Sequence, residues 1–442
     1  MKNKVFIYIF FCICLVPLLT MGISDSSDQV ANQILTEVPK LVDEAGKINI
    51  NYLSEFSNFF DDHIGLRNHL ITAEHRITAA IFGESSEEKV ILGKDGWLFY
   101  KETLEDFQIT NPLTDRELYV IETNLSLIQE YFSNNGINFA FTVVPNKNSL
   151  YGDKMPYYYK HGTGDSNLDV FSKTLNNSNV NYIDLYSVFK NTDKVLYRKT
   201  DSHWTNEGAG LASDAILKAV GKDATEYYGT ETEVVTAQTG DLYEMIYPSG
   251  EDKDIDVVYQ HDFSFEYTKP IRSVEDNFIR TACEGKSGSL YTFRDSFGNT
   301  LYPYLADNFA NATFTRLIPY NLTLPVAEGA DTVLIEIVER NLRWLYTKAP
   351  VFPAPERNIS NFKDATENAV ISFSETSEID GYIKIEGRLD KIDNYNDNIY
   401  IKTNTKIYEA TLTGQDTFVA YIPISEKTDN FKVLTGILLR RN

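Results

Sequence analysis

The stretch Ile137 to Val144, I-N-F-A-F-T-V-V, does most to limit what this chain can become. A nearly continuous apolar run of that length is what a parallel strand covered on both faces requires. A strongly signalled helix precedes it. Thr114 and Glu117 form a T-x-x-E capping box, Leu118, Ile121, Leu125, Ile128 and Phe132 line one face, and Gly136 stands where a C-terminal cap belongs. The alternation continues with a helix near Val170 to Leu175, a strand at Tyr182 to Leu185 and a helix from about Asn206 to Val220, closed by Gly221. It resumes with Leu290 to Phe293, a helix from about Asn299 to Phe309 and the strand Thr332 to Val338. This pattern predicts an α/β fold with a doubly wound parallel sheet. Residues 222 to about 285 break it and read as an insertion of short strands and long loops whose functional content the residues do not disclose.

The ends of the chain differ from this middle. Lys2 and Lys4 precede an uncharged run from Val5 to Ile23, which reads as an export signal. The run is also long enough for an uncleaved membrane anchor, and no clear small-x-small site decides between the two. With Cys12 and Cys14 inside it, Cys283 is left alone, which excludes an intrachain disulfide or a cysteine metal cage. Residues 25 to 90 read as a polar helical lead-in. Its His63, His69 and His75 do not share one helix face and read as polar surface rather than metal ligands. Val90 to Tyr100, V-I-L-G-K-D-G-W-L-F-Y, predicts a hairpin opening a main domain over 91–350. Beyond the proline-containing Ala349 to Glu356, short runs at Ala369 to Phe373, Tyr382 to Gly387, Asn398 to Ile401, Tyr408 to Leu412, Phe418 to Ile422 and Gly436 to Leu439 alternate with period two. They predict a β-sandwich over 356–442. Its Tyr382, Tyr400, Tyr408 and Tyr421 are either core or a stacking surface for sugar. The formal charge of -22 argues against a nucleic-acid partner and fits a neutral or sparsely charged ligand.

Chemistry concentrates in two places. R-K-T-D-S-H-W-T-N-E-G-A, Arg198 to Ala209, sets Asp201 and His203 two residues apart, on one side of an extended segment and just before a helix. That spacing lets a carboxylate accept Nδ1–H and leaves Nε2 free as a base. In L-Y-T-F-R-D-S-F-G-N, Leu290 to Asn299, a short apolar run ends at Asp295-Ser296. A serine there has access and the N–H groups of a helix start for an oxyanion. The competing reading makes Ser296 a helix cap and Asp201 and His203 turn residues. No second histidine at ligand spacing supports a metal site, and nothing calls for a cofactor. Asn146, Lys147 and Arg340 fall at or just beyond strand ends, where they either serve the oxyanion or bind substrate, or form ion pairs around the loops.

Taken together, T-D-S-H-W-T-N-E-G-A and the later R-D-S-F-G resemble the SGNH-hydrolase-like domains of the alginate acetylation proteins and the related family named for its D-H-H-W motif. D-H-I-G-L-R (62–67), G-K-D-G-W-L-F (93–99), V-V-P-N-K (143–147), G-D-L (240–242) and E-I-V-E-R (336–340) agree in order, so the resemblance covers about 50 to 345. Ser202 stands where the motif name has a second histidine. The resemblance implies a triad of Ser296, His203 and Asp201, in an order circularly permuted from ordinary SGNH esterases. It further implies an extracytoplasmic O-acetyltransferase acting on an exported or cell-surface polysaccharide, supplied with acetyl by a membrane-bound O-acyltransferase. The same triad also serves a polysaccharide acetylesterase, and a third class is a polysaccharide-binding protein without activity.

Overall fold

The computed structural model describes residues 2–20, 36–42, 46–223, 226–358, 370–375 and 378–436. Its centre is a seven-stranded sheet in the order β4-β3-β11-β9-β10-β8-β7. The strands are β3 (Asn138–Val144), β4 (Tyr182–Ile183), β7 (Glu266–Tyr267), β8 (Phe278–Ala282), β9 (Ser289–Phe293), β10 (Asn311–Thr315) and β11 (Thr332–Val338). β4, β3, β11, β9 and β10 are mutually parallel, and β8 and β7 add an antiparallel edge. β3 and β11 are covered on both faces, with Phe139, Phe141, Val333 and Ile335 on one side and Ala140, Val144, Leu334 and Val338 on the other, all at 0% exposure. Each Phe, Val, Ile or Leu among them contributes roughly 1.5–3 kcal/mol by leaving water. The helix Asp115–Asn134 carries the expected capping box at Thr114 and Glu117 and supplies Ile121, Leu125, Ile128 and Phe132 to the same core.

In chain order β1 (Val90–Leu92) and β2 (Leu98–Tyr100) form the expected hairpin, its K-D-G turn holding Asp95 at φ 56°. β5 (Thr232–Thr236) and β6 (Ile255–Tyr259) form a separate antiparallel pair within the 222–285 stretch. β10, N-A-T-F-T, was not foreseen from sequence, since two threonines and an asparagine in five residues mask a strand whose last four members are buried. The lead-in contains the helices Tyr52–His63 and Arg67–Phe82. His75 there packs its Nδ1 against the Ile246 carbonyl at 2.5 Å.

Two further sheets follow the central one. β12 (Val370–Glu375), β13 (Tyr382–Arg388), β17 (Thr417–Pro423) and β16 (Thr411–Leu412) form one; β15 (Ile407–Glu409), β14 (Asn398–Lys402) and β18 (Lys432–Gly436) form the other. Ile383, Ile385, Ile399, Ile401, Leu412 and Phe418 make their common core, which Val120 of the helix Asp115–Asn134 joins. That helix also donates from Arg116 to the carbonyls of Tyr395, Asp397 and Gln415 and from Asn124 to that of Leu412. The tyrosines do not form a stacking surface. Tyr400, Tyr408 and Tyr421 are at most 4% exposed, packed as core residues, and Tyr382 is half-buried. The expected strand at Gly436 to Leu439 lies outside the described residues after Gly436, as does Ala369.

The leader forms a helix over Lys2–Thr20. Its uncharged part within the described residues, Val5 to Thr20, is shorter than the ~20 residues of a bilayer span. No helix among the described residues is long and apolar enough to cross a membrane. Residues 21–35, where a cleaved signal and an uncleaved anchor would differ, lie outside the described residues.

Candidate active site

The Asp201 and His203 loop is shaped by its own backbone. Thr205 N–H bonds the Leu196 carbonyl at 2.8 Å and Arg198 N–H that of His203 at 3.3 Å, which folds residues 196–205 into a tight loop with Asp201 near its tip. Thr205 then caps the helix Asn206–Ala219 by accepting from Gly208 N–H. Lys147, at the carboxyl end of β3, clamps the tip from beneath. Its ammonium donates to the carbonyls of Leu98, Lys199 and Asp201 at 2.7, 2.7 and 2.9 Å and sits 5.0 Å over the Trp97 ring. Burial pulls Lys147 down to about 7, while Asp201, Asp254 and Asp241 resist. Three carbonyl acceptors require three N–H donors, and only the charged ammonium has them.

Ser296 follows β9 at the start of the helix Gly298–Ala306. Its hydroxyl does not cap that helix: Asp295 Oδ1 takes the Phe297 N–H at 2.8 Å, and Oδ2 takes that of Val338. The Ser296 Oγ instead lies 2.8 Å from His203 Nε2, and His203 Nδ1 lies 2.8 Å from Asp201 Oδ1. Trp204 ties the two loops together, its Nε1–H donating to the Phe297 carbonyl at 3.1 Å. Gly298 has no room for a side chain, because a Cβ would lie 2.5 Å from the Arg294 side chain that crosses the turn.

The Asp201 carboxylate is almost fully buried and accepts from four directions: His203 Nδ1 and backbone N–H, the Arg198 guanidinium at 2.9 Å and the Asp241 N–H at 3.4 Å. Burial alone would raise its pKa, but the hydrogen bond and charge of His203, with Arg198, hold it below the ordinary carboxylate range. With Nδ1–H donated to this oxygen, Nε2 is the acceptor facing Ser296. Such a chain moves a proton from hydroxyl to imidazole and stabilises the resulting cation.

A residue that sequence reasoning left without a role completes the cluster. Asp241 accepts the Ser202 N–H and hydroxyl at 2.6 and 2.5 Å, and its Oδ2 is 3.5 Å from His203 Nδ1. Its signal was the G-D-L triplet: a Cβ at Gly240 would meet the Thr200 carbonyl at 2.3 Å, so glycine alone lets this loop touch the Asp201 tip. Asp201, His203 and Asp241 are also the one group whose ligand atoms among the described residues converge closely enough for a metal ion. Hydrogen bonds from Arg198, Ser202 and backbone already occupy those oxygens.

Asn146, Lys147 and Arg340 do not line the cleft at Ser296. The Asn146 side chain donates to Asp106 and accepts the Arg340 N–H, and Lys147 is spent on carbonyls. Arg340 stacks 5.4 Å from the Tyr100 ring centre and 5.7 Å from that of Phe297, lining a small separate pocket with Asp106 and Glu339. The cleft itself, about 580 Å³, is bounded by the triad candidates, by Asn299, Tyr302 and Tyr304, and by Val235, Gln238, Asp241, Asp256 and Phe263. The 222–285 stretch therefore forms one wall of the site.

A parallel sheet bearing a serine, an imidazole and a buried carboxylate in hydrogen-bonded sequence at its carboxyl edge is of the SGNH-hydrolase-like class. Residues 90–270 match the family described as SGNH hydrolase-like domain, acetyltransferase AlgX. The chain is also 25% identical over 137 residues to the probable alginate O-acetylase AlgJ of Pseudomonas putida. That match covers 30% of this chain and 34% of AlgJ, so the chain spans about a third of the length of that relative. On these findings the chain is similar, over part of its length, to AlgJ/AlgX-like SGNH proteins. Among solved structures it is similar to Bacillus cereus PatB1 with a sulfonyl adduct (19% identity, TM-score 0.44, covering 57% of this chain and 94% of that one). It is likewise similar to a DHHW family protein from Eubacterium siraeum (19% identity, TM-score 0.40, covering 50% and 85%).

Proposed function

We propose that the protein is an extracytoplasmic O-acetyltransferase that moves acetyl groups onto hydroxyls of an exported or cell-surface polysaccharide. The observation that carries this reading is the unbroken chain Ser296 Oγ, His203 Nε2, His203 Nδ1, Asp201 Oδ1, with both links at 2.8 Å. Ser296 Oγ attacks the acetyl carbonyl of a donor ester as His203 Nε2 takes its proton. The donor C–O bond then breaks, and the departing alkoxide leaves with that proton. In the second half a sugar hydroxyl attacks the acetyl-serine, His203 takes its proton, and Ser296 leaves with it. Asp201 holds the imidazole and offsets its charge, and Lys147 and Arg198 are positioning residues that hold Asp201. The N-terminal segment is read as the export signal or anchor, a membrane-bound O-acyltransferase as the acetyl supplier, 91–350 as the catalytic domain, and 356–442 as a docked accessory domain.

Purified protein incubated with an activated acetyl ester, with and without oligosaccharides, tests the reading. Acetyl recovered on sugar supports it. Acetyl released only to water makes the protein an esterase with the same triad, and no turnover at all rejects both.

A further inference from the structure

The cleft beside Ser296 carries an unusual charge for a protein that resembles alginate acetylation enzymes. Asp201, Asp241, Glu244, Asp256 and Glu275 line it, against Arg198 as the one lining cation. Arg198 is consumed by Asp201 at 2.9 Å, and Glu275 is paired with Arg316. Among the described residues Asp241 has the His203 imidazole beside it, Glu244 makes no ion pair, and Asp256 makes none either, though Arg198 lies close enough to attract it and its Oδ1 accepts the Asn206 and Val257 N–H groups. Glu244 has no side-chain partner there at all. Burial pushes Glu244 upward, and Asp241 and Asp201 add to the shift; burial does the same to Asp256. A carboxylate arriving on a substrate would meet the same field, which added salt weakens because the cleft opens to solvent. The remaining lining is suited to an uncharged sugar. Phe263 is 40% exposed at the cleft, its ring braced edge-on by Tyr304 at 5.3 Å, and Gln238, Asn299 and Thr300 offer neutral hydrogen-bonding groups.

We propose that this cleft takes a neutral pyranose chain as acceptor and excludes polyuronates, with Phe263 stacking on a sugar face and Glu244 and Asp256 accepting sugar hydroxyls. This deepens the acetyltransferase reading and rests on it for the word acceptor; binding itself is tested separately from turnover.

Two ligands of equal length and linkage isolate the charge: β-1,4-mannohexaose and β-1,4-hexamannuronate, which differ at C6 by hydroxymethyl against carboxylate. Each is titrated calorimetrically into Ser296→Ala protein at low and high salt. Mannohexaose is expected to bind at least tenfold tighter at low salt, with the gap narrowing as salt rises. Glu244→Gln combined with Asp256→Asn should narrow it at low salt, and Phe263→Ala should weaken mannohexaose about tenfold. Equal or tighter binding of the uronate, binding of neither sugar, or a ratio unmoved by the double variant overturns the proposal. Failure of the wild-type protein to turn over an acetyl ester would instead reject the acetyltransferase reading and leave the binding comparison intact.

Discussion

Asp201 and Glu336 are both buried beside the Ser296 turn, yet their carboxyls are driven in opposite directions. Asp201 is met by donors on every side, with a guanidinium and an imidazole among them, and stays charged. Glu336, on β11, meets the Asp295 N–H through Oε2 but faces the Asp295 carboxylate, and its Oε1 has no partner. Burial first, then repulsion from Asp295, raises it well above the ordinary range. Burial is common to the two, so the partners decide which carboxyl is an anion and which holds its proton. The fold thus favours a negative charge beside the His203 imidazole and disfavours another beneath the Ser296 turn.

The largest effects belong to the charged member and its chain. Ser296→Ala and His203→Ala are each expected to reduce ester turnover by ~10⁶, and Asp201→Asn by ~10⁴, since members of such a unit fail together. Initial rates on a small acetyl ester, with circular dichroism to verify folding, measure this. Comparable rates in Asp201→Asn and wild type would erase the distinction between Asp201 and Glu336.

Removing the guanidinium sharpens it. Arg198→Gln leaves Asp201 buried without its strongest fixed cation, so its carboxyl shifts upward and the acid limb of the pH–rate profile moves up by ~1 unit. An unmoved limb would show that His203 alone holds Asp201 down.

For the protonated class the expected changes are smaller. Glu336→Gln replaces one neutral group by another and should cost under ~1 kcal/mol at pH 6, read by urea unfolding. Glu339 belongs to the same class, burial pushing it up to about 8. A carboxyl that holds its proton in the folded chain but loses it when unfolded stabilises most at low pH. That contribution is present below its ordinary pKa of 4.5 and is lost as pH rises toward 8. Glu339→Gln cannot lose that proton, so its stability relative to wild type should grow by about 2–4 kcal/mol from pH 5 to pH 8. A constant difference would mean that Glu339 is already ionised.

The triad candidates were legible because their signals are local. Asp201 and His203 need only an i to i+2 spacing, and Ser296 only the end of a buried strand at a helix start. The helix Asp115–Asn134 and β3 were equally plain from a capping box and an apolar run. What sequence could not supply depends on contacts distant along the chain. Lys147 looked available for catalysis until the hairpin β1-β2 and the Asp201 loop closed over it with three carbonyls. The 222–285 stretch has weak periodicity, yet Asp241, Glu244, Asp256 and Phe263 reach the cleft from it. Tyr400, Tyr408 and Tyr421 alternate as surface residues would, yet all three are buried: Tyr408 joins the core between the two sheets, whereas Tyr421 is covered by Val351 and Ile379 on the other face of its strand.

The central claim is that Ser296 carries the acetyl group between donor and acceptor. Acid quenching of the protein within the first turnover on an activated acetyl ester, followed by peptide mass spectrometry, tests it most directly. The account predicts one acetyl group on the peptide containing Ser296, absent in Ser296→Ala and discharged on adding acceptor sugar. Turnover at the wild-type rate in Ser296→Ala, or an acetyl group found only on another residue, would contradict it.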